Sequence, residues 1–317
     1  MSEEILVVKD LKKHFHTAQG VVKAVDGVSF TIDKGETFGL VGESGSGKST
    51  TAFTIMGVYE PTYGKILFKG TPLVGGVKQR SLSLKKEMQM VFQDPGSSLN
   101  PRKNIRQILE LPLKVHKLYP GNEDERIEEI LNMVGLPTEF LERYPKAIGG
   151  GEKQLVAVAR ALATGASFIA LDEPSSALDV SMQAKIINTL LRIQKDLNLS
   201  FLFITHNLSL MRNVATRVGI MYLGKLVEVA PASEFFRKPV HPYTQMLISS
   251  IPVITAEEEA LKPAKVQSVG EIPSPVNLPQ GCSFHPRCPE CEGECSEAEP
   301  MMIEIEPGHL VKCHSRQ

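Results

Sequence analysis

The sequence lacks three features, each of which would define a class of protein. It has no uninterrupted apolar run of the roughly 18 residues that a membrane-spanning helix needs, and it begins with an acidic Met-Ser-Glu-Glu where a signal peptide would be basic. It also has no basic excess, because 35 Lys and Arg residues are balanced by 36 Asp and Glu residues. We therefore predict a cytoplasmic protein with no transmembrane segment, and the charge balance argues against binding to nucleic acid.

Cysteine is absent from residues 1–281. All five cysteines lie in the last 36 residues: Cys282, Cys288, Cys291, Cys295 and Cys313. A disulfide framework would distribute cysteines along the chain, and a cytosolic protein keeps its thiols reduced, so this cluster favours a local metal site. Eleven of the 21 prolines also follow Lys238. We place a domain boundary near residue 238.

Before that boundary the pattern predicts alternating strands and helices, which is typical of a mostly parallel sheet covered by helices. Four short apolar runs are expected to be strands: residues 5–8, 37–41, 168–171 and 202–205. Residues 96–150 are more charged, and residues 122–131 carry apolar side chains at helical spacing. They are interpreted as a separate helical insert.

Residues 42–50 read GESGSGKST, which satisfies the phosphate-binding loop pattern between a strand and a helical stretch. Glycines allow successive backbone N–H groups to surround phosphates, Lys48 supplies a cation, and the Ser49 hydroxyl can bind Mg²⁺. The motif indicates a nucleoside triphosphate. The candidate nucleotide ligands are Gly42, Ser44, Gly45, Ser46, Gly47, Lys48, Ser49 and Thr50.

Two adjacent carboxylates, Asp172 and Glu173, end the apolar run at 168–171. Consecutive residues at a strand end point to opposite sides, so one carboxylate can hold Mg²⁺ while the next faces the attacking water. We assign Asp172 to the metal and Glu173 to the general base.

The order of the remaining motifs identifies a family. Gln93 follows a strand, a glycine-rich turn at 144–152 precedes a helix, Asp179 follows the carboxylates in the segment 176–179, and His206 follows another strand. This succession resembles the ATP-binding cassette family over essentially the whole chain. The resemblance implies an α/β fold with a RecA-like mixed sheet, an N-terminal antiparallel β subdomain, a helical subdomain and a small cysteine-rich C-terminal extension.

The resemblance also implies roles for single residues. In this family the glutamine at position 93 contacts Mg²⁺ and the attacking water, and the histidine at 206 reaches the γ-phosphate. The aspartate at 179 acts across a dimer interface, and Phe15 corresponds to the aromatic that stacks on adenine, although Phe15 also suits a core position. The glycines of the signature turn, Gly149, Gly150 and Gly151, contact the nucleotide of a partner subunit.

Three further segments, 92–102, 221–225 and 239–244, are similar to the ATPase subunits of oligopeptide, dipeptide and nickel importers, and more to the F type than to the D type. This resemblance implies a heterodimer with a second ATPase subunit on two membrane permeases, at the cytoplasmic face of the membrane. An extracellular solute-binding protein would deliver the cargo, which could be peptides, nickel or oligosaccharides. The implied domains are a nucleotide-binding domain at 1–237 and a C-terminal extension at 238–317.

The same resemblance implies that the cysteines hold a [4Fe–4S] cluster. By position its ligands would be Cys282, Cys288, Cys295 and Cys313, which leaves Cys291 extra. The residues alone leave an Fe–S cluster, a tetrahedral Zn²⁺ site and free thiols open, because spacing does not separate them and three histidines are further candidate ligands. Those histidines are His285, His309 and His314.

The signature turn departs from the family pattern. The family has Leu-Ser-Gly-Gly-Gln, whereas this chain has IGGGE at residues 148–152, so a hydroxyl is lost at Gly149 and an anion, Glu152, replaces an amide. We hypothesise an asymmetric heterodimer in which the site on Lys48 and Glu173 is competent. The second site, which would use this chain's glycines, is expected to be weak, unless backbone N–H groups suffice for it.

The sequence argues against two other functions. A soluble cassette ATPase of translation or DNA repair normally has two fused cassettes, a coiled-coil insert or a basic tract, and the sequence shows none of these. A subunit that binds ATP without hydrolysing it would have no need of the hydrolytic residues Gln93, Asp172, Glu173 and His206 together.

Overall fold

The computed structural model describes residues 3–176, 178–251 and 270–316, and these residues contain two β-sheets. The smaller sheet is antiparallel, with strand order β2-β1-β4-β5. Its strands are β1 (Glu4–Thr17), β2 (Gly20–Asp33), β4 (Tyr63–Phe68) and β5 (Thr71–Pro72). This sheet is the expected N-terminal antiparallel subdomain.

The larger sheet has eight strands. They are β3 (Thr37–Val41), β6 (Met88–Val91), β7 (Phe168–Asp172), β8 (Ser200–Thr205), β9 (Arg217–Tyr222), β10 (Lys225–Pro231), β11 (Ile303–Glu306) and β12 (His309–Val311). Their order is β11-β12-β10-β9-β3-β8-β7-β6, with parallel pairing from β9 to β6 and antiparallel pairing from β9 to β11. Every residue of β3, β7 and β8 is buried, as the uninterrupted apolar runs predicted.

Helices cover this sheet and build the insert. They are α1 (Lys48–Met56), α2 (Leu82–Glu87), α3 (Pro95–Ser98), α4 (Ile105–His116), α5 (Glu123–Met133), α6 (Gly150–Leu162), α7 (Val180–Leu197), α8 (Leu208–Val214), α9 (Ala232–Arg237), α10 (Pro242–Ser249) and α11 (Gly293–Glu297). The helix predicted at 122–131 is α5, which buries Ile127, Ile130 and Leu131 at helical spacing. In the described part of the chain, no helix has the length and apolar character needed to cross a bilayer.

The described residues on the two sides of position 238 share one sheet and one core. Strand β12 pairs with β10, so the extension that begins at residue 238, called the C-terminal segment below, adds strands to the large sheet. The Phe284 side chain is 1% exposed and lies 5.3 Å, centroid to centroid, from the rings of both Tyr222 and Tyr243. His309 Nε2 and Glu228 Oε1 are in buried hydrogen-bonding contact at 2.7 Å. The boundary near 238 stays a prediction about the chain's organisation.

Phe284 is therefore expected to anchor the C-terminal segment. Phe284→Ala should lower the free energy of unfolding by about 3–5 kcal/mol, because it opens a cavity among buried rings. Ile272→Ala is a matched control in the same segment, since Ile272 is 48% exposed, and its effect should stay within about 0.5 kcal/mol. Urea unfolding of the full chain measures both, and equal effects would contradict the anchoring role.

Candidate functional site

Strand order brings the predicted site residues to one edge of the large sheet. The parallel strands β3, β8, β7 and β6 are consecutive neighbours, so their carboxyl ends lie side by side. The phosphate loop follows β3, His206 follows β8, Glu173 follows β7, and Gln93 follows β6. Ligands of open α/β sheets bind at this edge, so the sequence-predicted residues converge there.

The phosphate loop needs glycine for two reasons. Gly45 and Gly47 have φ values of +79° and +103°, in the left-handed region that glycine tolerates. At Gly47 there is also no room for a side chain, because a Cβ atom would lie 2.1 Å from the Ala24 carbonyl oxygen. Gly47 is the residue that precedes α1, so the loop leads directly into the positive end of that helix.

Lys48 lies inside the loop. Its ammonium donates hydrogen bonds to the carbonyl oxygens of Gly42 and Glu43, at 2.8 and 2.9 Å. Burial lowers the pKa of Lys48, while the nearby carboxylates of Glu173 and Asp172 act in the opposite direction. These carboxylates favour the charged form of Lys48, and a buried cation at this position suits the binding of phosphate oxygens.

Ser49 and Asp172 form a pair of oxygen donors. The Ser49 hydroxyl donates to Asp172 Oδ1 at 2.8 Å. Burial raises the pKa of Asp172, against the lowering effect of the Ser49 hydrogen bond and, more weakly, of Lys48. A hydroxyl and a carboxylate are hard oxygen ligands of the kind that Mg²⁺ prefers, so this pair fits a nucleotide-bound magnesium ion.

Glu173 is held between two polar side chains. Its Oε2 atom accepts a hydrogen bond from Gln93 Nε2, and its Oε1 atom contacts His206 Nδ1, both at 3.0 Å. The backbone of Glu173 has φ +45°, which is strained for a residue with a side chain. Gln93 thus contacts Glu173, the second of the two adjacent carboxylates. A contact between Gln93 and Mg²⁺ stays a prediction.

These residues surround a cleft of about 760 Å³, a size typical of ligand sites. The cleft is lined by Val22, Lys23, Ala24, Ser44, Gly45, Gly47, Lys48, Ser49, Thr50, Gln93, Glu173, His206, Leu223, Gly224 and Pro275. Gly42, Ser46 and Asp172 are buried behind this lining.

Sequence reasoning missed three groups of lining residues. Residues 22–24 come from β2, and 223–224 come from the turn between β9 and β10. Pro275 comes from the C-terminal segment. None of these positions belongs to a chemical motif, and only the tertiary structure brings them to the cleft.

Phe15 lies beside the cleft and is half-buried. It is the cross-strand neighbour of Val22, which lines the cleft, and its ring meets Tyr59 edge-on at 5.2 Å between centroids. A stacking role for Phe15 against adenine stays a prediction.

The signature turn lies outside this cleft. Gly149 caps α6, and Gly150 lines a separate pocket of about 160 Å³ together with Gln93 and Leu178. A Cβ atom on Gly149 would lie 2.5 Å from Glu152 Oε2, so the Glu152 carboxylate occupies the space that a serine side chain would enter. Among the described residues that line the Lys48 cleft, none comes from 149–151.

Asp179 caps α7. Its Oδ1 atom accepts hydrogen bonds from the Ser181 hydroxyl at 2.6 Å and from the Met182 N–H at 2.9 Å, and the Ser181 hydrogen bond is the main cause of its lowered pKa. Its predicted role across a dimer interface stays a prediction. Ala177, in the same predicted segment, lies outside the described residues.

All five cysteines carry free thiols, and Cys291 differs from the other four. Cys282, Cys288, Cys295 and Cys313 are buried or half-buried, whereas Cys291 is exposed. Burial raises the pKa of the Cys282 thiol, and the neighbouring Cys295 and Cys313 raise it further. Burial likewise raises the pKa of Cys288 to about 12, with smaller contributions from Cys313 and Cys282.

The three candidate histidine ligands have other partners. His309 contacts Glu228, His285 Nδ1 contacts the Cys282 carbonyl oxygen at 2.9 Å, and His314 Nε2 contacts the Ala298 carbonyl oxygen at 2.9 Å. Over the described ranges 3–176, 178–251 and 270–316, no three His, Cys, Asp or Glu side chains are arranged to hold one metal ion.

The fold and the cleft define a phosphate-loop ATPase of the ATP-binding cassette class. Residues 25–176 match the family model described as ABC transporter, and residues 227–295 match the model of the oligopeptide/dipeptide transporter C-terminal region. The structure of cbiO1 from Clostridium perfringens, part of the transporter complex cbiONQ, is similar with a TM-score of 0.66 and 26% identity over 74% of this chain and 92% of that one. The dimeric cassette MJ0796 bound to ADP and Pi is similar with a TM-score of 0.63 and 27% identity, over 72% and 98% of the two chains.

Curated relatives specify the family. The oligopeptide transport ATP-binding protein AppF of Bacillus subtilis is 47% identical over 98% of this chain and 97% of its own length. The dipeptide transport ATP-binding protein DppF of Escherichia coli is 39% identical over 99% and 95%. The chain therefore belongs to the family of ATP-binding subunits of oligopeptide and dipeptide ABC transporters, and it is an ABC transporter ATPase.

The loop geometry predicts different effects for two glycine substitutions. Gly45→Ala brings its Cβ atom near no other residue of the chain, so its cost in folding stability should be only the left-handed strain of about 1–2 kcal/mol. Gly47→Ala has the same strain and also requires the loop to move away from the Ala24 carbonyl, so it should cost more stability and abolish nucleotide binding. Urea unfolding and titration with a fluorescent ATP analogue measure the two effects. Equal losses of stability and of nucleotide affinity in the two variants would show that the close approach of Gly47 to the Ala24 carbonyl oxygen is unimportant.

Proposed function

We propose that this ATPase drives the import of dipeptides or oligopeptides, with the nickel and oligosaccharide cargoes of similar importers as alternatives. The observation that carries the hydrolytic part is the placement of Glu173. It lies at the cleft that contains Lys48 and Ser49, between Gln93 and His206. The peptide cargo is supported by the names of the relatives, which are oligopeptide and dipeptide transport proteins.

In the proposed reaction a water molecule attacks the γ-phosphorus of ATP. The new bond joins the water oxygen to phosphorus, the bond to the bridging oxygen of ADP breaks, and Glu173 accepts the proton that the water loses. Lys48 and the N–H groups of the loop bind the phosphates. Ser49 and Asp172 would hold Mg²⁺, which neutralises phosphate charge when bound.

Gln93 and His206 orient the base in this proposal. Each contacts a different oxygen of Glu173, so together they fix the plane of its carboxylate. The His206 side chain is more than half exposed and lines the cleft, where it can face a γ-phosphate. The ordering of Glu173 before nucleotide binds lowers the cost of reaching the reactive geometry.

A second ATPase subunit would complete the site. This chain's own signature glycines are outside the cleft, so a partner must supply the turn that covers the γ-phosphate. We propose a heterodimer bound to two membrane permeases at the cytoplasmic face of the membrane, with a solute-binding protein delivering cargo outside. Coupling to the permeases is assigned to the surface near Gln93 and the helical insert.

The two ATP sites of this heterodimer are proposed to be unequal. The site that uses this chain's signature turn lacks the serine hydroxyl, and a hydrogen bond to a charged group contributes about 1.5–3 kcal/mol, or about 10- to 150-fold. The Glu152 carboxylate also lies against Gly149, where it would repel phosphate. The site built on Lys48 and Glu173 has neither defect if the partner carries an ordinary signature turn.

Reconstitution with the cognate subunits tests this function. Glu173→Gln should lower transport-coupled ATP hydrolysis by at least about 100-fold, because a general base contributes about 10²- to 10⁴-fold. Binding of MgATP should persist, because glutamine retains a side chain of the same size. Glu234→Gln is the matched control, since Glu234 pairs with Arg237 on the surface, and it should leave the rate unchanged.

Substitution of the corresponding glutamate in the partner subunit tests the asymmetry. The unequal-site proposal predicts a much smaller loss of ATPase activity than Glu173→Gln causes. Equal losses would contradict the asymmetry without affecting the transport function. Full turnover that does not depend on permeases would favour a soluble ATPase, and binding with no turnover in any assembly would favour a regulatory subunit.

We further propose that Cys282, Cys288, Cys295 and Cys313 hold a [4Fe–4S] cluster. The four thiols are buried or half-buried, and Cys295 and Cys313 lie close enough to Cys282 to raise its pKa, whereas Cys291 is exposed. The ligand sulfurs of a four-iron cluster lie further apart than those of a single ion, so this proposal is compatible with side chains that do not converge on one metal position. Zinc is the alternative occupant.

If these four cysteines are the cluster ligands, substitution of one of them should remove the iron, whereas substitution of Cys291 should not. Cys295→Ser should remove the iron and the visible absorbance of protein purified without oxygen, whereas Cys291→Ser should retain both. Iron, sulfide and zinc content measured with the spectrum separates the two occupants. Zinc without sulfide in the unsubstituted protein would exclude the cluster, and equal iron loss in both variants would reassign the ligands.

A further inference from the structure

One residue of the phosphate loop is bound by the C-terminal segment rather than by nucleotide-site residues. The Glu43 carboxylate forms two hydrogen bonds with the guanidinium of Arg287, at 2.9 and 3.2 Å. Arg287 is 5% exposed, so this is a mostly desolvated, two-point ion pair. It joins residues that are 244 positions apart and that no motif connects.

Tyr243 binds the same loop residue from the same segment. Its hydroxyl accepts a hydrogen bond from the Glu43 N–H at 3.1 Å and lies 3.2 Å from Glu43 Oε2. Burial raises the pKa of Tyr243, so it stays protonated and can donate to that oxygen. Both the backbone and the side chain of Glu43 are therefore held by residues from the far side of position 238.

A second contact reaches the other end of the cleft. Pro275 lines the cleft directly, and its carbonyl oxygen accepts a hydrogen bond from the Lys23 N–H at 3.4 Å. Val276 packs so closely on the hairpin that a Cβ atom on Gly20 would lie 2.8 Å from it. The C-terminal segment thus contacts the cleft at the phosphate loop and at the β1–β2 hairpin.

We propose that the C-terminal segment is a working part of the nucleotide site and that Arg287 is its positioning residue. Arg287 fixes Glu43, whose carbonyl oxygen accepts a hydrogen bond from Lys48, and it neutralises the Glu43 carboxylate beside the phosphate site. This inference rests on the proposal that the cleft binds MgATP. The proposal gives the C-terminal segment a role in nucleotide affinity that is separate from its cysteines.

Arg287 balances the negative charge of Glu43 beside the phosphate loop. Without Arg287 the half-buried Glu43 carboxylate would remain as an unpaired anion next to a bound triphosphate, and repulsion between like charges is strong where water is excluded. The Glu43 side chain would also lose two of its three hydrogen bonds and keep only the one from Tyr243, which would loosen the loop that orients Lys48. Both effects weaken binding of the nucleotide, while neither alters the general base Glu173.

A double-substitution cycle on the full chain tests the proposal. Arg287→Gln should weaken MgATP binding about tenfold, measured by calorimetric titration, while ATPase turnover at saturating MgATP in the complete assembly should change less. Addition of Glu43→Gln to Arg287→Gln should restore most of the affinity, because the unpaired anion is removed. Glu306→Gln is the control, since it removes an exposed ion pair within the C-terminal segment, the one between Glu306 and Lys238.

Several results of this experiment would contradict the role proposed for Arg287. Unchanged affinity in Arg287→Gln, or equal losses in Arg287→Gln and Glu306→Gln, would overturn it, and a double variant as weak as the single one would overturn the charge argument. If Arg287→Gln fails to fold, Arg287→Lys and Tyr243→Phe replace it, and wild-type affinity in both would overturn the proposal. Failure of the unsubstituted chain to bind MgATP would instead contradict the proposed function.

Discussion

The parallel pairing of β3, β8, β7 and β6 is the constraint on which the site depends. Each of these four strands ends in a residue or loop that the chemistry needs, and only their adjacency makes the four ends neighbours. The contacts of Glu173 with Gln93 and His206 follow from this order, because β6 and β8 flank β7. A change of strand order would separate the same motifs without altering any of them.

The parts of the site that were predictable from sequence are those with local chemistry. The phosphate loop needs glycines and a lysine at fixed spacing, and a strand end can present two acids, so Lys48, Asp172 and Glu173 could be found without a structure. The strands and α5 were also predictable, because burial on both faces or on one helical stripe leaves a periodic pattern. Pro275 and the ion pair between Glu43 and Arg287 leave no such local signal, since they depend on how the C-terminal segment docks.

Docking of that segment also explains why a boundary drawn from composition does not mark a separate core. Proline and cysteine increase after residue 238, yet β12 joins the large sheet and Phe284 packs between Tyr222 and Tyr243. A short, Pro-rich segment buries too little apolar surface to fold by itself. It is stabilised by the core of the larger domain, and its contacts with the phosphate loop are a consequence of that arrangement.

The stability of the fold does not explain why the signature turn departs from the family pattern. Glycine at a helix N-cap is only a few tenths of a kcal/mol less favourable than serine, and an acidic residue in the first turn of α6 interacts favourably with the helix dipole. Gly149 and Glu152 are therefore compatible with a stable N-terminus of α6. The stability of this helix does not require a serine at position 149 or an amide at position 152. In the proposed heterodimer these residues change the surface offered to a partner's phosphate, because a hydroxyl is missing and a carboxylate lies in its place. The departure thus bears on the proposed second ATP site and not on the folding of this chain.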